Sequence, residues 1–239
     1  MSERRVEHVM GLPVIVDAPA ADDAAVDAVF AWLRVVDARF SPFRPDSEVC
    51  RIDRGELGAS DAHPDVREVL ARCARLRDET GGYFDARAGG ALDPSGVVKG
   101  WAVDRAAALL PGPFCIDAGG DVLVRGGPWR VGVRHPLRDD RLAAALRLSD
   151  AAIATSGAYE RGDHVLDPVG GGPARGALSV TVVTRSLGAA DAYATAAFAM
   201  GARGPAWTAG LRGCEAMTVL EGERVLCTPG LGGLRVPLA

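Results

Sequence analysis

The strongest constraint on this chain is the junction of two runs. Leu178-Ser-Val-Thr-Val-Val-Thr184 is followed after a short break by Ala189-Ala-Asp-Ala-Tyr-Ala-Thr-Ala-Ala-Phe-Ala-Met-Gly201. The first run is rich in β-branched residues and reads as a strand. The second is alanine-rich, which predicts a helix that Gly201 stops. Asp191 and Thr195 stand four apart and share one helical face. The spacing predicts both in the first turns, where backbone N–H groups and the helix dipole favour anions. A carboxylate and a hydroxyl so placed suit a hard cation such as Mg²⁺, with positions left for phosphate oxygens. An Asp191 that caps its helix and a Thr195 that packs as a polar residue would give the same pattern.

The rest of the chain mixes the two element types. Extended structure is expected from Val6 to Val16, broken at Met10-Gly11, with Pro13 marking an edge or bulge. Asp22-Asp23 opens a helix with Val26, Val29, Phe30 and Leu33 at helical spacing. Phe40 to Glu48 carries two prolines and reads as a loop. A helix near Asp65 to Thr80 places Val66, Val69, Leu70, Cys73 and Leu76 on one face. Asp85 to Gly100 reads as a glycine-rich loop, leading into a helix over Trp101 to Leu110. Short strands are expected at 114–116, 122–124, 129–134, 142–148, 152–155, 164–166 and 178–184. A hairpin follows, 216–220 with 224–227. Helices and strands do not alternate strictly, so the fold class is α+β with largely antiparallel sheets.

Composition narrows the function. With 239 residues, 48% of them hydrophobic, the chain can build one large domain or two intimate halves. A formal net charge of -4 argues against nucleic acid as a partner. No run approaches transmembrane length and the N-terminus has no signal pattern, so no membrane insertion is expected. The five cysteines, without a CxxC, read as reduced thiols of a cytoplasmic protein.

Four further stretches are too polar or glycine-rich for scaffolding alone: Thr80 to Asp85, Leu92 to Asp104, Ile116 to Asp121, and Ala154 to Pro168. Gly96 and Lys99-Gly100 could present N–H groups and a counter-charge to phosphate; a tight turn with a solvated lysine is the plain alternative. Ala118-Gly-Gly-Asp121 reads as a hairpin turn or a place of close ligand approach. His164, near Asp167, is the best general acid–base candidate, and the other histidines lack comparable polar context.

In order along the chain, Ser41-Pro-Phe-Arg-Pro-Asp-Ser-Glu48, Gly82-Tyr-Phe-Asp85, Val98-Lys-Gly-Trp-Ala-Val-Asp104, Gly119-Gly-Asp121, Ala154-Thr-Ser-Gly157, His164-Val-Leu-Asp-Pro168 and Ala190-Asp191 with Thr195 resemble the ApbE family of FAD:protein FMN transferases. The resemblance runs from Met10 to about Gly201 and implies one ApbE-like (T-fold-like) domain over 1–239. It implies FAD as substrate and Mg²⁺ held by Asp191, Thr195 and a backbone carbonyl near Gly96, in the loop before the lysine helix. FAD would lie against Met10, Phe43, Tyr83, Phe84, Asp85, Asp93, Lys99, Val165 and Leu166. His164, with Asp167, would assist transfer of FMN to a Ser or Thr hydroxyl of an acceptor protein, releasing AMP. The chain departs from the family's pattern in a shortened segment between Asp85 and Asp93, in Phe43 for a frequent tyrosine, and in Asp117-Ala118 for the common Asn-Leu. A non-catalytic FAD-binding protein and an Mg²⁺-dependent FAD pyrophosphatase are the competing readings.

Overall fold

A computed structural model describes residues 4–157 and 165–238. The chain opens with a hairpin, β1 (Arg5–Val9) and β2 (Leu12–Asp17). The two residues between them, Met10 and Gly11, both have positive φ, 56° and 72°. Two such residues match the right-handed twist of the flanking strands. Pro13 lies in an interior strand rather than at an edge, because β2 also pairs with β3 (Phe114–Ala118). It sits where that ladder ends, its carbonyl accepting from Gly119 N–H at 3.0 Å, so its missing N–H interrupts no register.

The remaining strands are β4 (Asp121–Arg125), β5 (Trp129–His135), β6 (Arg138–Leu148), β7 (Ala151–Gly157), β8 (Ala177–Thr184), β9 (Glu215–Leu220), β10 (Val225–Cys227) and β11 (Arg235–Val236). They form an eight-stranded sheet in the order β1-β2-β3-β4-β7-β8-β9-β10, with antiparallel neighbours throughout, and a three-stranded sheet β11-β6-β5. Along β4 the side chains alternate between two cores. Leu123 joins the helix-side core, and Val122 and Val124 pack with Val133 and Leu146 of the small sheet. The large sheet is therefore covered on both faces, which explains why its central strands are almost continuously apolar. The fold is α+β with antiparallel sheets, as the sequence reading expects.

Six α-helices are described. α1 (Asp23–Phe40) is capped by Asp22, whose carboxylate accepts from Ala25 N–H at 2.8 Å, and buries Val26, Val29, Phe30, Leu33 and Val36. α2 (Glu48–Asp53) lies beyond the proline-rich loop and is capped by Ser47. The loop reading therefore fails at its last residue, Glu48, which opens this short helix. α3 (Pro64–Glu79) follows the expected apolar stripe. α4 (Ser95–Ala106) starts six residues earlier than the sequence reading places it and runs on into a 3-10 turn, Ala107–Leu109, that ends just before Pro111, as expected. Gly96, Lys99 and Gly100 are thus helical, and Gly96 does not lie in a loop before the helix.

α5 (Leu187–Ala199) carries Asp191 and Thr195, and α6 (Gly204–Ala209) follows it. Because α5 begins at Leu187, Asp191 falls in its second turn and Thr195 in its third, not in the first turns. Its N-terminus is closed by Asp104, which accepts from Ser186 Oγ (2.7 Å), Leu187 N–H (2.8 Å) and Gly188 N–H (2.9 Å). Those donors are consumed by the protein itself, so this helix end is not an open anion site.

α4 and α5 touch through their backbones. A Cβ at Gly100 would lie 2.5 Å from Leu187 O and 2.6 Å from Gly188 Cα. Trp101, beside it, is fully buried against Trp32 and Phe40, and its Nε1 donates to Glu68 at 3.1 Å. The Lys-Gly-Trp-Ala-Val-Asp run is therefore mostly architecture, with Lys99 as its chemically presented member. No described helix is long and apolar enough to cross a membrane, and the five cysteines are free thiols. Burial pushes the Cys73 thiol up to about 12.

Candidate active site

Three elements of the helix-side core deliver polar side chains to one place. β4 opens with Asp121 directly after the Gly119-Gly120 turn, whose positive φ values (66° and 95°) let the chain reverse in two residues. α4 supplies Lys99 and α5 supplies Asp191. The Lys99 ammonium pairs with Asp121 Oδ2 and reaches Asp191 Oδ2 at 3.5 Å. Both carboxylates are buried, Asp121 to 4% exposure and Asp191 to 6%. Asp121 Oδ1 also accepts from Thr155 N–H at 3.0 Å, so strand β7 and helix α4 fix the two oxygens of one carboxylate. On β7, Ser156 Oγ lies 3.3 Å from Thr195 Oγ1. Thr155 points to the opposite face and pairs with Thr181 across the strands at 3.0 Å.

The donor set is oxygen only: two carboxylates and the hydroxyls of Ser156 and Thr195. Such a set suits a hard cation of the Mg²⁺ type. An ammonium already resides between the carboxylates, so the place is built for positive charge. Asp191 and Thr195 fit the part of cation donors. The Gly96 carbonyl is in the first turn of α4, and a Cβ at Gly96 would sit 3.1 Å from the Phe84 ring. Phe84 is itself buried, so it shapes the floor beneath Gly96.

The predicted flavin contacts lie toward the loops. Asp93 precedes α4 and accepts from Ser95 N–H at 2.9 Å. With Phe43, Cys50, Asp53, Arg54 and Leu92 it lines a cavity of about 300 Å³, the size of a small-ligand pocket. Phe43 is 91% exposed at its rim. Asp53 accepts from Arg87 and from Leu92 N–H, and the Arg87 guanidinium holds its carboxyl below the usual range. Helix α4 joins the two parts of the site: Asp93 stands just before its foot, and Lys99 is about 6 Å along the axis from the first helical residue, Ser95. Tyr83 is half-buried, its hydroxyl taking a hydrogen bond from Arg203, whose guanidinium also lies 5.0 Å from the ring centre. Asp85 caps Arg87 N–H and pairs with Arg77 at 3.2 Å. Met10 forms the tip of the first hairpin and packs on the helix-side core, next to the Gly119-Gly120 turn.

Val165 O accepts from Ala174 N–H at 2.9 Å, and Leu166 bridges to Pro173. Asp167 Oδ1 accepts from Val169 N–H and Gly170 N–H, at 2.9 and 2.8 Å, and so closes its own turn. His164 lies outside the described residues. The sequence reading quotes Asp121 and Ser156 inside motifs without giving either a role. The available signal was an acidic residue opening an otherwise apolar strand, where burial would force it to find a partner.

The ApbE family model matches residues 10–92 and 86–218. A curated relative from Vibrio cholerae named FAD:protein FMN transferase is 33% identical over 129 residues, 46% of this chain and 39% of the relative. One of the same name from Treponema pallidum is 29% identical over 174 residues, 61% of this chain and 48% of the relative. The chain thus spans less than half the length of either. Among solved structures, the ApbE protein of Thermotoga maritima superposes with a TM-score of 0.89 at 23% identity, over 98% of this chain and 99% of that one. The family model covers most of the sequence, including Lys99, Asp121, Asp191 and Thr195, and the chain belongs to the ApbE family.

Proposed function

We propose that this chain is an FAD:protein FMN transferase that moves FMN from FAD to a Ser or Thr hydroxyl of an acceptor protein and releases AMP. The observation that carries the reading is the group formed by Lys99 and the buried carboxylates Asp121 and Asp191, with Thr195 and Ser156 beside it, at the second turn of α4, whose foot borders the Asp93 cavity. A diphosphate needs positive charge where its bridging bond breaks, and a flat ring system needs a cavity with an aromatic edge; one helix links the two.

In this reading Phe43, Tyr83, Asp85 and Asp93, with Met10, Val165 and Leu166, bind the flavin and adenine portions. Phe84 supports Gly96 from below. Lys99 places its ammonium against the diphosphate. Asp191, Thr195 and the Gly96 carbonyl would hold Mg²⁺, which would supply charge neutralisation on the phosphate oxygens. The acceptor oxygen forms a bond to the FMN phosphorus, the bond to the AMP oxygen breaks, and the hydroxyl proton passes to a base. His164, with Asp167, is the candidate for that base.

The test is incubation with FAD, Mg²⁺ and an acceptor peptide bearing a Ser or Thr flavinylation sequence, read by mass spectrometry. An FMN-sized adduct together with AMP is expected, and Asp191→Ala is expected to abolish it while the protein stays folded. AMP and free FMN without adduct would make the chain a pyrophosphatase. FAD binding without turnover would make it a carrier.

A further inference from the structure

We infer that Ser156 is a positioning residue for Thr195: its hydroxyl oxygen takes the Thr195 proton and leaves an Oγ1 lone pair for a divalent cation. The inference rests on the reading of Thr195 as a cation donor. A threonine on a helix ordinarily turns its hydroxyl back onto the carbonyl three or four residues earlier. Thr80 does so at the C-terminal end of α3, donating to Leu76 O at 2.7 Å, and Thr208 does so in α6, donating to Pro205 O at 3.1 Å. Thr195, in the third turn of α5, differs. Its hydroxyl meets Ser156 Oγ on β7 instead, at 3.3 Å.

A hydroxyl carries one proton and two lone pairs. A cation at Thr195 Oγ1 takes a lone pair and repels the proton, which then needs an acceptor on the side away from the cation. Among the described residues, Ser156 Oγ is the hydrogen-bond partner of that hydroxyl. Ser156 is 9% exposed, so water has little access to take its place. The sheet fixes it there. Ser156 stands opposite Val180 in the β7–β8 ladder, and the residue before it, Thr155, is tied through its N–H to Asp121. Without the serine hydroxyl, Thr195 is drawn back onto its own helix, as Thr80 and Thr208 are. Groups that orient a metal ligand typically carry about 10–100-fold in metal affinity, and a neutral hydroxyl belongs at the lower end.

The experiment is Mn²⁺ titration of the full chain without FAD, with free Mn²⁺ read by electron paramagnetic resonance and the metal-free melting temperature followed in parallel. Wild type is expected to bind Mn²⁺, and Thr195→Val to bind it more weakly. Ser156→Ala should bind about tenfold more weakly than wild type, with an unchanged melting temperature. Ser156→Ala combined with Thr195→Val should bind no more weakly than Thr195→Val alone, because Ser156 acts through Thr195. A merely structural role for Ser156 would lower the melting temperature, and direct contact of Ser156 with the cation would make the two losses add. Either result overturns the inference, as does Ser156→Ala with wild-type affinity, and in each case weaker binding by Thr195→Val leaves the cation reading standing. Absence of binding in wild type, or wild-type affinity in Thr195→Val, overturns the reading of Thr195 as a cation donor and the inference with it.

Discussion

The inner and outer ends of the candidate site are built by opposite means. At the inner end every polar group comes from a strand or helix and is held by a second element: Asp121 by β7 and α4, Thr195 by β7, Lys99 by β4 and α5. At the outer end the groups sit on connecting segments and are held by their own neighbourhood. Asp93 caps Ser95, Asp85 caps Arg87, Asp167 closes a turn of three residues, and Phe43 stands 91% exposed. On the proposed reading, the contrast teaches that charge is placed where the protein cannot yield, and recognition where it can. A bond-breaking step loses rate with small misplacement, whereas a flat ligand needs a face that closes over it.

If that division holds, changes at the inner framework cost stability and changes at the outer rim cost affinity. The largest effect is expected from Gly100→Ala, whose methyl would lie 2.5–2.6 Å from the Leu187-Gly188 backbone. Neither backbone can give, so denaturant unfolding should show a loss of about 3 kcal/mol. A stable variant would mean that α4 and α5 can separate and that the inner end is softer than described. Next is Asp104→Ala, which leaves the α5 N-terminus without its carboxylate. A loss of about 2 kcal/mol is expected, and hydrogen exchange should rise first at Leu187 and Gly188.

Phe43→Ala should act the other way. The melting temperature stays unchanged, because an exposed ring contributes no packing, while FAD affinity measured by fluorescence falls roughly fivefold, or about 1 kcal/mol. A fall in stability without a fall in affinity would take Phe43 out of the site.

The smallest effect sharpens the boundary between the two ends. Burial raises the Asp117 carboxyl above its ordinary value, against the hydrogen bond it accepts from Gly120 N–H at 2.7 Å. The folded state therefore binds its proton more tightly than the unfolded chain. Asp117 lowers stability at neutral pH, and that penalty disappears as pH falls through the raised folded value toward the ordinary one. Asp117→Asn keeps the acceptor for Gly120, so it should melt slightly higher than wild type at pH 7 and equally at acid pH. A benefit that persists in acid would assign the gain to something other than charge.

The sequence made the scaffold legible where a single face decides the element. The stripes of α1 and α3 and the β8 run needed no partner to be recognised. It was less legible where a contact between distant segments overrides local preference. Pro94, Gly96 and Gly100 all read as loop markers, yet Pro94 sits at the N-cap of α4, Gly96 makes room for Phe84 and Gly100 meets Gly188. The start of α5 was missed for a related reason, since its cap comes in part from Asp104, far away in sequence. In the candidate site, residue type and spacing single out Asp191, Thr195 and Lys99, and the structure brings Lys99 and Asp191 together. Asp121 was passed over because its value lies in a lysine from another helix, and a glycine turn explains its neighbours without it.

The backbone contact between α4 and α5 also limits how this protein can be remodelled. Lys99 is adjacent to Gly100, and Asp191 lies three residues after Gly188, so their spacing is inherited from the main chain. Inserting or deleting one residue in α4 ahead of Lys99 would swing the lysine by about 100° around the helix axis and out of reach of both carboxylates. An engineer seeking a wider or differently shaped substrate cleft has no freedom in these helices. That freedom lies in the segments 41–47 and 85–94, where length can change without disturbing the register of the charged centre.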